Sequence, residues 1–87
     1  MEEIKSALRE LLVDTLRLPI APAQIGENDL ITQLGIDSIG LMEIITQVEN
    51  KFHIIVEEDD LSPSLVNSLD TFSAYVKAKQ RAAAVKQ

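Results

Sequence analysis

Leu34-Gly35-Ile36-Asp37-Ser38-Ile39-Gly40-Leu41-Met42-Glu43-Ile44-Ile45 passes from a glycine turn into an amphipathic helix. Asp and Ser are both preferred helix N-caps, so the helix starts at Asp37 or Ser38. Two residues able to cap stand in succession, which leaves one of them free for another task. Leu41, Ile44, Ile45, Val48 and Phe52 then recur at i, i+3/i+4, i+7 and i+11, which lays one apolar stripe along the helix. Gly40 inside this stretch costs about 1 kcal/mol against alanine; either a small residue is wanted near the helix start or the glycine is a tolerated defect.

Outward from this helix the chain reads as further helices. Ile4, Leu8, Leu11, Leu12 and Thr15 share a helical face, widened by Ala7 and Leu16, with Glu2 and Glu3 at its head and Arg17 in its last turn. Pro19 is expected to end it by pushing Leu18 out of helical geometry. Residues 18–37 hold Pro19, Pro22, Gly26 and Gly35 without a sustained period. Leu18, Ile20, Ile25, Leu30, Leu34 and Ile36 can pin this long loop to a core, and Leu30–Leu34 can form one helical turn stopped by Gly35. Ser62-Pro63 reads as a cap followed by a first-turn proline, opening a short helix through Leu65 and Val66. Ser68 is a second cap, for a last helix whose inner side is expected to carry Leu69, Phe72, Tyr75 and Val76, with Ala74 contributing weakly. Phe52–Val56 is the one β-like run and has nothing to pair with. The expected fold class is all-α: helix, long loop, helix, short helix, helix. Residues 1–81 are expected to form a single domain and residues 82–87 a frayed tail.

The 87 residues suffice for one domain with a small core. Cysteine is absent, which excludes disulfides and thiolate metal sites and leaves the chain without a thiol of its own. The formal charge is −6, which disfavours nucleic acid and anionic membranes as partners. It is unevenly spread: residues 27–60 carry nine acids against Lys51 alone, whereas residues 61–87 carry Asp70 against four bases. A basic patch on a partner complements such a surface. No apolar run is long enough for a membrane span, and Met-Glu-Glu is acidic where an export signal would be basic, so the expected location is cytoplasmic. His53, the single histidine, has no partner suited to metal binding or catalysis, and Glu57–Asp60 lacks the spacing of a calcium loop. With no acid–base, metal or nucleophile constellation, an enzyme is disfavoured.

The segment Leu34-Gly35-Ile36-Asp37-Ser38-Ile39 with Met42-Glu43-Ile44-Ile45 resembles the attachment motif of the acyl and peptidyl carrier protein family. The likeness extends over about residues 3–78, through the first helix, the long loop, Phe52, Val56 before an acidic turn, Leu61-Ser62-Pro63 and Ser68-Leu69-Asp70-Thr71-Phe72. It implies a free-standing carrier: a four-helix bundle of three longer helices and a short third, with no catalysis of its own. It implies that Ser38 carries 4′-phosphopantetheine from coenzyme A through a phosphodiester, added by a phosphopantetheinyl transferase. A helix N-terminus favours the phosphate's negative charge. The competing reading is an unmodified helical interaction module in which Ser38 only caps.

The resemblance also implies a docking role for Asp37, beside which the same residue can act as a plain cap. Ile39 and Met42 are expected to point outward on the Ser38 side, with Glu43 the clear acid of that face. An exposed apolar pair beside a functional group suits partner contact. Carriers of fatty acid synthesis usually place several acids along this helix; here there are Glu43 and Glu49, offset by Lys51. That departure favours specialised biosynthesis of polyketide or nonribosomal-peptide type, with fatty acid synthesis or aminoacyl carriage as alternatives. The expected partners are the transferase and acyl-loading, acyl-transfer and condensing enzymes with basic or apolar docking patches, meeting a monomeric carrier.

Overall fold

The computed structural model describes residues 2–85. Its helices are α1 (Glu2–Leu16), α2 (Leu30–Leu34), α3 (Ser38–Phe52), α4 (Pro63–Val66) and α5 (Leu69–Val85), with single 3-10 turns at Pro22–Gln24 and Glu58–Asp60. Among the described residues there is no strand, as the helical periodicity requires. The three long helices carry the bundle: α1 lies against both α3 and α5, and α4 bridges α5 and α2. Helix α5 continues to Val85, and the last two residues of the expected tail, 86–87, lie outside the described residues.

The core is drawn from every helix. Leu8, Leu12, Leu30, Ile44, Val48, Val66, Leu69, Phe72 and Val76 are fully buried, joined by Leu11, Ile25, Ile36, Ile45, Ile54 and Leu65. The α3 stripe holds in its centre; Leu41 and Phe52 at its ends are only half-buried. On α5 the inner position falls to Ser73 rather than Ala74, which is exposed. Position 73 completes the spacing 69, 72, 73, 76, and the Ser73 hydroxyl avoids an unmet bond by donating to the Asp70 carbonyl at 3.2 Å.

Three helices stop by the same device. Arg17, Gly35 and His53 adopt left-handed backbone, with φ of 54°, 64° and 57°. The residue after each donates five residues back: Leu18 to Val13 at 3.0 Å, Ile36 to Ile31 at 3.0 Å and Ile54 to Glu49 at 3.3 Å. These bonds satisfy carbonyls that a helix end leaves open. Glycine at position 35 takes this conformation without steric cost. Helix α1 thus ends at Leu16, and the stop is the Arg17 turn, one step ahead of the Leu18-Pro19 break expected from the sequence.

The long first loop is held by polar contacts as well as apolar ones. Ile25, Leu30 and Ile36 are buried, and Leu18, Ile20 and Leu34 half-buried against the core. From α1, Arg9 Nε donates to the Ile25 carbonyl at 3.1 Å and its Nη2 meets Glu27 Oε2 at 3.3 Å. Lys5 lies buried on the inner face of α1, bonded to Asp70 and, at 3.1 Å, to Glu27, so that one ammonium joins α1, the loop and α5. The Asp70 and Glu27 carboxylates hold it above the ordinary lysine pKa. Helix α2 has no side-chain cap of its own; Asn67 supplies one from across the fold. Its carbonyl accepts from Leu30 N at 3.1 Å and its Oδ1 from Ile31 N at 2.9 Å.

The acidic turn is fastened to α5. Tyr75 donates its hydroxyl to Asp60 Oδ2 at 2.8 Å, and Lys79 sits 3.7 Å from Glu57 and 5.7 Å above the Tyr75 ring. Burial first, and the bond to Asp60 second, raise the Tyr75 pKa to about 12. A raised phenol pKa contributes stability that is fully present below the ordinary value of 10.0 and is lost as pH climbs through about 12. Tyr75→Phe is expected to cost about 1 kcal/mol at neutral pH, the usual net worth of one such bond. It should also flatten the part of the decline above pH 10 that wild type shows and the variant lacks. Urea midpoints of both proteins across this range test the point, and equal slopes would count against it.

Candidate functional site

The site begins with how α3 starts. Asp37 is the N-cap, with extended backbone, and its Oδ1 accepts from Gly40 N at 2.7 Å. Its carbonyl accepts the first intrahelical bond, from Leu41 N at 2.8 Å. Capping is therefore done by Asp37, and Ser38 becomes the first helical residue. Ser38 is exposed, and its hydroxyl has no hydrogen-bond partner among the described residues. The N–H groups of Ser38 and Ile39 are likewise left without a protein acceptor, as the first turn of a helix dictates. An exposed hydroxyl beside free N–H groups at the positive end of a 15-residue helix suits a phosphate ester.

Gly40 explains how the rest of the site assembles. A Cβ built there would lie 3.1 Å from Asp37 Oδ1, 3.4 Å from Leu16 Cδ2 and 3.8 Å from Ile36 Cγ2. The missing side chain thus leaves room for the cap, and the last residue of α1 packs against the same turn, where anything larger than a methyl group would meet it. Gly40→Val would drive branched methyl groups into both contacts, and overpacking of this kind costs about 1–3 kcal/mol. We expect thermal unfolding of that variant to fall accordingly, and an unchanged melting temperature would show that α1 is not held there.

An open groove lies between the end of α1 and the head of α3. It is lined by Asp14, Thr15, Leu16 and Arg17 on one side and by Asp37, Ser38, Ile39, Gly40, Met42, Glu43, Thr46 and Gln47 on the other. All five residues singled out in the sequence, Asp37, Ser38, Ile39, Met42 and Glu43, therefore meet on one surface. Ile39 is 72% and Met42 51% exposed, so both point out as their spacing suggested. The second acid of α3 is not free: Glu49 is half-buried and accepts from Val56 N at 2.9 Å. Arg17 was read in the sequence only as a favourable charge at a helix end; the structure puts it into the groove. No sequence signal marks this, because it follows from the packing of Leu16 on Gly40.

Among the described residues no group of three or more His, Cys, Asp and Glu side chains could hold a metal ion, and no helix is long and apolar enough to cross a membrane. The family described as phosphopantetheine attachment site matches residues 6–76. The acyl carrier protein of Amoebophilus asiaticus is 37% identical over 60 residues, covering 68% of this chain and 72% of that one. That of Karelsulcia muelleri is 31% identical over 77 residues, covering 88% and 89%. The acyl carrier protein of Beutenbergia cavernae is 32% identical over 60 residues, covering 69% and 72%. No solved structure matches the chain. The all-helical fold, the free serine at the head of α3 and a family match across most of the length agree, and the chain belongs to the phosphopantetheine-attachment family of acyl carrier proteins, carriers rather than enzymes, whose covalent group is 4′-phosphopantetheine.

Proposed function

We propose that Ser38 is the attachment residue, and that this chain carries acyl, polyketide or related intermediates as thioesters and delivers them to partner enzymes in specialised biosynthesis. The observation that carries the reading is the division of labour at the start of α3: Asp37 caps, and the Ser38 hydroxyl is exposed and unbonded. In loading, Ser38 Oγ would bond to the pantetheine-side phosphorus of coenzyme A. The pyrophosphate bond breaks, adenosine 3′,5′-bisphosphate leaves and the hydroxyl proton is released. The free N–H groups at Ser38 and Ile39 would then face the new phosphodiester. The arm supplies the thiol that the chain lacks, and tethering raises the local concentration of its cargo at each partner.

Partners would dock on the face formed by Ile39, Met42 and Glu43, with Asp37 beside it. Two exposed apolar side chains and one free acid favour contact that is more apolar than ionic, because Glu49 is taken up by Val56 N. This supports a specialised pathway over fatty acid synthesis, whose carriers usually bear a denser acidic row. In this reading the carrier works as a monomer, within residues 1–81, in the cytoplasm beside the enzymes that use it. The test is to incubate the apo chain with coenzyme A and a broad-specificity phosphopantetheinyl transferase, digest it and map the modified peptide by mass spectrometry. One arm on the peptide holding Ser38 is expected, and an unmodified chain would return the molecule to the class of plain interaction modules.

A further inference from the structure

Arg17 is exposed at the end of α1. Lys5, Arg9 and Lys79 each pair with carboxylates, while Arg17 has no carboxylate within 4.0 Å among the described residues. Among the described residues it is also the one base lining the groove that holds Ser38, where Asp14, Asp37 and Glu43 supply three acids. Its backbone sits at φ 54°, a conformation that costs an L-residue roughly 1–2 kcal/mol and costs glycine nothing sterically. The preceding residue, Leu16, lies against the first turn of α3, 3.4 Å from where a Gly40 Cβ would stand.

We propose that Arg17 is a positioning residue for the arm, holding the phosphodiester on Ser38 from the α1 side and laying the first part of the arm in the groove between α1 and α3. The inference rests on the reading of Ser38 as the attachment residue. A phosphodiester keeps one negative charge at neutral pH. Three carboxylates around it repel that charge, and the N–H groups at the head of α3 attract it from one side only. A guanidinium on the facing wall supplies the second side, with a planar fork suited to two phosphate oxygens. Beyond the phosphate the groove offers Thr46 and Gln47, whose hydroxyl and amide match the amides and hydroxyl of a pantetheine chain. Thr46 Oγ1 already donates to the Met42 carbonyl at 3.0 Å, which leaves its oxygen as an acceptor facing out. The arm is bound covalently at the groove's mouth, so weak contacts suffice to order it.

The experiment compares apo and enzymatically loaded protein, wild type, Arg17→Gly and Arg17→Lys, with loading checked by intact mass. Glycine is at ease at this backbone angle, so Arg17→Gly removes the side chain without threatening the fold, and an unchanged or higher melting temperature confirms it. The readouts are the Arg17 Nε–Hε resonance, the Thr46 and Gln47 amides, and the phosphorus-31 shift. Loading of wild type is expected to move all of them. In loaded Arg17→Gly the phosphorus shift should move from the wild-type value toward that of the loaded chain in denaturant, the α3 N–H groups keeping part of the difference, and Arg17→Lys should fall between Arg17→Gly and wild type. A phosphorus shift identical in wild type and Arg17→Gly, or changes confined to residues 37–40, overturns the inference. A merely structural role for Arg17 would move the melting temperature and leave the phosphorus signal where it was. Failure to load Ser38 at all is seen separately, by mass, and overturns the attachment reading itself.

Discussion

Ser38→Ala is expected to abolish loading completely while leaving the fold intact. The reaction needs one oxygen, and alanine removes that atom and little else. The Ser38 hydroxyl bonds to nothing among the described residues, and the side chain is exposed, so its loss leaves no buried group unsatisfied. Surface changes of this sort shift stability by about 0.5 kcal/mol or less. Asp37→Ala makes the informative contrast. It removes the acceptor for Gly40 N at 2.7 Å, and loss of an N-cap costs about 1 kcal/mol. It leaves the Ser38 oxygen in place, so loading should slow and not vanish. Intact mass after transferase treatment reads one effect, and urea unfolding reads the other. A Ser38→Ala protein that still gains an arm would move the attachment to another hydroxyl, and the reading of α3 would fail with it.

Phe72→Ala carries the largest expected loss of stability. Phe72 is the largest of the fully buried side chains and sits on the α5 face turned to the core. Truncating a buried phenylalanine removes its transfer free energy and opens a cavity, about 3–5 kcal/mol together. A domain of this size is held by only about 4–13 kcal/mol in total, at 0.05–0.15 kcal/mol per residue. The variant should therefore lose a large fraction of its margin, and its melting temperature should drop by roughly 15 °C or more at about 4–8 °C per kcal/mol. Phe72→Leu keeps most of the apolar volume and guards against a variant that fails to fold; it is expected to lose less than half as much. Circular dichroism melts of the three proteins decide the matter, and a loss near 1 kcal/mol for the alanine variant would mean that the bundle collapses onto the gap.

Much of this architecture is legible along the chain because helices announce themselves by period. The α3 stripe, the single turn at Leu30–Leu34 stopped by Gly35, the Ser62-Pro63 start and the Ser68 cap, whose Oγ accepts from Thr71 N at 3.3 Å, are each signalled by residues close together in the chain. Such local signals do not depend on what the helix later packs against. Where local chemistry is ambiguous, reading stops. Asp37 and Ser38 could each cap, and the backbone geometry alone assigns the cap to Asp37. Ser62 sits at the N-cap of α4, yet its hydroxyl bonds to the Ser64 hydroxyl at 2.9 Å and not to a helix N–H.

By itself the sequence determined the helical class, a helix start at Asp37 or Ser38, the outward pair Ile39 and Met42, and the concentration of acids between residues 27 and 60. All of these follow from spacing and composition. Tertiary structure alone decided that Lys5 would be buried between Asp70 and Glu27, that Asn67 would cap a helix 36 residues away from its own position, and that Arg17 would line the groove that holds Ser38. Those outcomes depend on which helix ends meet, and polar side chains carry no period that reveals their distant partners. The meaning of Gly40 likewise appears only in the fold, where a Cβ would crowd the Asp37 cap oxygen at 3.1 Å and Leu16 of α1 lies just beyond at 3.4 Å.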